Sequence, residues 1–247
     1  MVNGTDSEVE KGDALPALLT ALPGAKSTAL VDVLARHESP GVTARRARLG
    51  QRRGTGKDPI VWQRARGGNV WDADGNRFVD LSGAFGVATI GHAHPEVIEA
   101  VAHQAETLMH GMGDVYPNAP RILLMERIAE IAPGALSQCI LGLNGSDAVE
   151  AALKTAVLKT GKPGVLSFWG SYHGLSYGAL ATTAYKDDFR RPFVAQMGSH
   201  VTMMPFGMEL SQLEMLLRGP ATGGEAIGAI LVEPIQGRGG EVVPPEG

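Results

Sequence analysis

Cysteine is nearly missing from this sequence. The 247 residues hold one, Cys139, so no internal disulfide and no thiolate metal site can form. Aromatic residues are sparse at 5%, and charged residues reach only 19%. Long apolar runs are missing too. No stretch of about 18 apolar residues occurs, so no membrane-spanning helix is expected. Neither sign of charge dominates: 22 lysines and arginines stand against 26 acids, for a net charge of −4. That balance argues against nucleic acid as the main partner. The start of the chain carries Asp6, Glu8 and Glu10 without an apolar centre, so it does not read as a signal peptide. The Walker phosphate loop is absent. So is a nucleophile elbow, because Gly198-Ser199-His200 lacks the glycine that must follow the serine.

Glycine, by contrast, is abundant, at 33 residues. These glycines fall in short turns such as Gly67-Gly68 and Gly239-Gly240, with no period, which excludes collagen and repeat arrays. The length suits one large domain, or one domain and part of another. A cytoplasmic globular protein is the expectation. Residues 1–28, polar at first and mildly apolar around Leu15–Leu22, read as a mobile tail with one short helix. Helical spacing resumes at Thr28–His37. The arginines of residues 38–59 read as a solvated surface. Val70-Trp71-Asp72-Ala73-Asp74-Gly75-Asn76-Arg77-Phe78-Val79-Asp80 has the tight-turn signature of a hairpin. Pro95 opens a helix with an apolar stripe of Val97, Ile98, Val101, Ala105 and Leu108, and a second helix is predicted from Ala119 to about Ile131.

From there the pattern alternates. Strands are predicted at Cys139–Leu143, Val165–Trp169 and Ile227–Val232. Helices are predicted at Ser146–Lys159, closed by Gly161, and at Leu210–Leu217. That rhythm implies an α/β fold with a largely parallel sheet. In such sheets the chemistry lies at the carboxyl ends of strands, which singles out loops Gly142–Asp147, Gly170–Gly174 and Glu233–Gly240.

Each loop carries a chemical possibility beside a plain structural one. Asn144-Gly145-Ser146 opens a helix, so it is either an anion site on the free N–H groups of the first turn or simply a cap. Asp147 tempers the anion site unless its carboxylate turns away. Lys154, four residues after Glu150, reads as half of a surface ion pair. Tyr172 either lays its ring on a flat cofactor, with His173 beside it, or packs in the core. Glu233, fixed by Pro234, holds a cationic group, orients a cofactor substituent or caps a strand end. His92 and His94 are either half of a metal site or part of a helix-entry loop, and the second reading is preferred.

Taken together and in order, these stretches resemble the class III aminotransferases, fold-type-I enzymes of the aspartate-aminotransferase kind that use pyridoxal 5′-phosphate (PLP). The matching residues are Val70–Asp80, Gly91-His92-Ala93-His94-Pro95, Gln104 to His110, Gly145–Lys154, Tyr172-His173-Gly174 and Val232-Glu233-Pro234-Ile235-Gln236-Gly237. The resemblance covers roughly residues 27–247. It implies that Gly145 and Ser146 bind the cofactor phosphate and that Tyr172 stacks on the pyridine ring with His173 at its side. It also implies that Glu233 helps fix the site and that Phe85 lines the substrate pocket. The substrates would be a small-molecule amine or amino acid and a keto acid, and the assembly a homodimer. The organisation implied is a tail at 1–28, an N-terminal segment of the small domain at 29–110, and the first part of the PLP-binding large domain, with an incomplete sheet, at 111–247.

Two departures from the family pattern stand out. Arg238 occupies the place where several ω-amino-acid transaminases carry a switching glutamate, so that switch is not carried over. None of the seven lysines follows the family's Schiff-base motif, and the ring-bonding aspartate and C-terminal arginine are not found either. The chain alone is therefore expected not to transaminate and to be poorly soluble in isolation. Aminomutase, epimerase or decarboxylase chemistry stays open as an alternative, as does a two-chain or non-catalytic form.

Overall fold

The computed structural model describes residues 11–53, 59–218 and 226–245. The chain divides into two units, Met1–Pro117 and Asn118–Gly247.

In the first unit, β1 (Trp62–Arg66), β2 (Asn69–Asp72) and β3 (Arg77–Val79) form an antiparallel sheet in that order. The Asp-Gly-Asn turn sits where the sequence places it. Asp72 Oδ1 accepts the N–H groups of Asp74 and Asn76 at 3.0 and 2.8 Å, and Gly75 takes the left-handed φ of 88° that the turn requires. All of β2 is buried. Its polar side chains are matched rather than excluded: Asn69 accepts from Ala14 N at 2.8 Å and donates to Ala14 O at 2.9 Å.

That pairing corrects the expected tail. Residues 13–23 are not mobile but run as an irregular, non-helical strap along the sheet. Asn76 Oδ1 accepts from Leu19 N and Thr20 N at 2.7 and 2.9 Å, and Arg77 Nε donates to Leu15 O at 2.8 Å. Buried sheet side chains thus satisfy backbone groups that a short isolated helix would have to pair by itself. Residues 1–10 of that expectation lie outside the described part. The first described helix of the unit after the strap is α1 (Ala25–His37), whose Lys26 and Ser27 N–H groups donate to Asp74 at 2.8 and 2.9 Å. α2 (Pro40–Arg53) carries the arginines, and α3 (Pro95–Thr107) opens on its proline.

In the second unit, α4 (Ala119–Ile131) is capped by Asn118. α5 (Gly145–Thr160) ends at Gly161, with a φ of 68°. β4 (Gly164–Phe168) lies between β5 (Val201–Met204) and β6 (Ile227–Ile230), parallel to both. The mostly apolar character of β4 matches its position: every residue is buried, Ser167 included. α6 (Tyr177–Thr182) lays Ala179, Leu180 and Ala181 on β4, and α5 packs against α6 and β6. A short helix α7 (Asp187–Arg190) and a 3₁₀ turn (Arg191–Gln196) lead to β5. α8 (Leu210–Arg218) follows β5.

Two strand expectations need correction. Cys139–Leu143 is not a strand, because a strand exists only by pairing and none of the described strands pairs with it. β6 ends at Ile230 rather than Val232, although Leu231 N still donates to Leu166 O at 2.9 Å.

Candidate functional site

All three predicted loops belong to the second unit; the first two meet at one cleft of about 870 Å³, lined among others by Asn144, Gly145, Ser146, Glu150, Tyr172 and His173, and the third adjoins the second through Glu233. That size suits a small organic ligand.

The floor of the cleft is the start of α5. Asn144 Oδ1 accepts Asp147 N at 3.0 Å, the ordinary capping bond. Asp147 Oδ2 turns back to accept Leu143 N at 3.0 Å, so its carboxylate is held on the loop before the helix. Gly145 and Ser146 keep N–H groups that have no carbonyl four residues back within the helix. A Cβ placed on Gly145 would meet nothing within 4 Å, so the backbone there is open to a close approach.

Ser146 ties the first loop to the second. Its Oγ accepts Leu175 N at 3.2 Å and Ser176 N at 3.0 Å, and lies 2.6 Å from Ser176 Oγ. Gly174 has a φ of 132°, and a Cβ on it would fall against Ser146 Oγ and 2.8 Å from Ser146 Cβ. Only glycine allows that contact. Glu150 departs from its predicted pairing with Lys154. Its Oε1 accepts Ala179 N at 3.0 Å, at the start of α6. Burial pushes its carboxyl up, but hydrogen bonds from Ser176, Ala179 and Gly178, with the charge of Lys154 behind them, outweigh that and leave it below the ordinary value.

Glu233 ties the second loop to the third. Oε1 accepts Tyr172 N at 2.6 Å, and Oε2 accepts Gly237 N at 3.0 Å. Of the roles open to it, the structure shows a cap that spans two loops. The Arg238 guanidinium lies 4.4 Å from the centre of the Tyr172 ring, over one face, and Tyr185 stands edge-on to that ring at 6.4 Å. Tyr172 is thus neither a core aromatic nor a bare platform. His173 N donates to Thr183 Oγ1 at 2.9 Å, while its buried Nε2 has no partner. Burial pushes the imidazole pKa down, opposed by the nearby charge of Glu233.

Gln236 had no role in the sequence reading, yet it is 3% exposed and donates to Trp169 O at 2.8 Å. Its place inside the Glu-Pro-Ile-Gln stretch was the available signal. Ser167, Ser171, Thr182 and Thr183 are buried as well. Ser167 and Ser171 both donate to Thr182 O, at 2.7 and 2.9 Å, and nothing in their scattered spacing announces this. Phe85 belongs to the first unit, where it is 91% exposed. In the same unit His92 bonds to Asp80 at 2.9 Å. His94 occupies the cap position of α3 without a side-chain cap bond, and no cluster able to hold a metal occurs among the described residues.

The family profile described as aminotransferase class-III matches residues 51–247. The acetylornithine aminotransferase of Methanopyrus kandleri is 34% identical over 189 residues, covering 76% of this chain and 46% of that protein. The alanine/serine racemase of Pyrococcus horikoshii is 33% identical over 208 residues, covering 76% and 44%. Among solved structures, an (S)-enantioselective omega-transaminase from Thermomicrobium roseum matches with a TM-score of 0.74 at 28% identity, over 89% of this chain and 52% of that one. The chain spans about half the length of the relatives it matches.

Proposed function

The chain belongs to the class III aminotransferase family, and from this we propose that it carries the phosphate- and ring-binding part of a PLP site. The protein it forms transfers an amino group between an amine or amino acid and a keto acid. The observation that carries this reading is one cleft shared by the start of α5 and the Tyr172 loop, joined by Ser146, with Glu233 of the third loop bonded to Tyr172 N.

The residues fit the cofactor. A phosphate needs N–H donors at a helix start with room for close approach, and Gly145 and Ser146 supply both. The buried, unpaired Nε2 of His173 is a polar group still lacking a partner. When bound, PLP supplies an electron sink for bonds at the substrate Cα. In this proposal Gly145 and Ser146 hold the phosphate, Tyr172 supports the ring and His173 lends Nε2 to the cofactor's edge. Glu233 keeps Tyr172 and the third loop at fixed spacing, and the Gly174 contact keeps Ser146 facing the cleft. Phe85 is proposed as a substrate-pocket residue.

Residues 29–110 are read as the N-terminal segment of the small domain and 111–247 as the first part of the large one. The working form is read as a cytoplasmic homodimer. No described helix is long and apolar enough to cross a membrane.

A second reading within the family rests on the similarity to a racemase at nearly the same identity. Incubating the working form of the protein, rather than the 247-residue chain alone, with PLP, L- and D-alanine and a keto acid separates the two. Amino transfer produces pyruvate and a new amino acid. Interconversion of the alanine enantiomers without keto-acid consumption would overturn the transferase assignment.

A further inference from the structure

At the end of β4 the chain turns through residues 168–171, and the second unit holds this turn at several points. Trp169 N donates to Met204 O at 2.8 Å, Ser171 N to Phe168 O at 3.2 Å and Ala184 N to Ser171 O at 2.9 Å. Ser171 Oγ adds its bond to Thr182 O at 2.9 Å. Gly170, inside the turn, has a left-handed φ of 88°.

The third loop rests on this turn. Gln236 and Val242 exchange both main-chain bonds, each at 3.0 Å, which closes residues 237–241 into a short turn that carries Arg238. Gln236 is buried at that closure, and its Nε2 donates to Trp169 O at 2.8 Å. A Cβ on Gly170 would fall 2.5 Å from Gln236 Oε1. A Cβ on Gly239 would fall 2.7 Å from Gly170 O and 3.3 Å from Gln236 Oε1. Two glycines thus bring the loops together with the Gln236 amide at the contact, and one added methyl would force them apart. The same loop reaches Tyr172 at two points: Glu233 Oε1 accepts Tyr172 N at 2.6 Å, and the Arg238 guanidinium lies over the Tyr172 ring at 4.4 Å.

We propose that Gln236 is a positioning residue: it seats the third loop on the turn after β4, and so sets the Glu233 carboxylate on Tyr172 N and the Arg238 guanidinium against the Tyr172 ring. Its effect on a ligand passes through Tyr172, and that step rests on the reading of Tyr172 as support for the cofactor ring. The seating itself lies within the second unit and needs no cofactor to be tested.

The test compares the working form of the protein with its variants Gln236→Met and Gly239→Ala. Methionine keeps the volume and drops the donor to Trp169 O. Gly239→Ala leaves Gln236 in place and wedges a methyl between the loops, at a position outside the left-handed region. Both variants are expected to speed amide exchange at Tyr172 and Gly237 by about tenfold, while Val165 and Trp169, whose N–H groups are bonded to His200 O and Met204 O, keep their rates. Both are also expected to weaken pyridoxal binding by about fivefold and to leave inorganic phosphate binding, which reads the start of α5, within about twofold of wild type. A general loosening of the unit would move both ligands together. Unchanged exchange at Tyr172 and Gly237 in either variant would overturn the proposal. So would equal acceleration at Val165 and Trp169, unchanged pyridoxal affinity, or a loss of phosphate affinity as large as the loss for pyridoxal. A wild type that binds neither pyridoxal nor phosphate would remove the cofactor reading, and the exchange rates would still decide whether Gln236 seats the loop.

Discussion

Glu233 accepts the backbone N–H of Tyr172 at 2.6 Å, with its second oxygen on Gly237 N at 3.0 Å. One carboxylate thereby sets the spacing between the aromatic loop and the loop that carries Arg238. Replacing Glu233 with alanine strands both N–H groups. The expected cost is about 1–2 kcal/mol, the low end of a charge-assisted bond because the site is partly open to water. Glutamine keeps one acceptor and should recover part of this. Thermal melts of the two variants check the order: alanine lowest, glutamine intermediate, wild type highest.

Ser146 gathers two backbone N–H groups and the hydroxyl of Ser176. Ser146→Ala is expected to lose about 1 kcal/mol of stability and to weaken phosphate binding about tenfold, which corresponds to about 1.4 kcal/mol. Competition of inorganic phosphate against PLP, followed by absorbance, measures the second effect separately from the first.

Gly174→Ala combines a φ of 132° with a Cβ 2.8 Å from Ser146 Cβ. The backbone must shift, at a cost of about 1–3 kcal/mol. The shift moves Ser146, so cofactor affinity should fall further than in Ser146→Ala. Equal or better affinity in the glycine variant would show that the contact does not shape the site.

Acid should weaken the fold in two steps. Burial holds the folded-state pKa of His173 below its ordinary 6.5. The unfolded chain therefore takes up that proton first as pH falls, and the stability from neutral His173, complete above 6.5, declines below it. The Ser82 hydroxyl and then His92 hold Asp80 at about 2, against an ordinary 3.8. Its contribution is complete above 3.8 and is lost as pH falls toward 2. Melting temperature against pH should drop below about pH 6.5, and His173→Gln should flatten that first drop while leaving the second.

The sequence exposed those parts of the fold that depend on local chemistry. The Asp-Gly-Asn turn, Pro95 at the start of α3 and Gly161 at the end of α5 are set by backbone preferences, and the structure has each of them. The parallel direction of the β4 and β6 strands follows from the alternation of helix and strand, while β5 and the β5-β4-β6 order were not read from it. Parts that depend on distant partners were hidden. The strap at residues 13–23 takes its conformation from Asn69 and Asn76, about 55 residues away. Cys139–Leu143 has strand-like composition, but none of the described strands pairs with it. At the candidate site, Ser146, Tyr172, His173 and Glu233 were singled out from motif and loop position, and the structure brings them near one another. Gln236 and Thr183 were not, because their roles arise from how the loops fold over one another.

The most direct test of the central claim is a comparison of PLP with pyridoxal, which lacks the phosphate, in binding to the 247-residue chain by equilibrium dialysis. The cleft at the start of α5 predicts that PLP binds at least about tenfold tighter than pyridoxal, the difference of about 1.4 kcal/mol that the phosphate contacts should supply. Ser146→Ala should erase most of that margin. Equal binding of the two compounds, or no binding of either to a chain that melts cooperatively, would contradict the phosphate site.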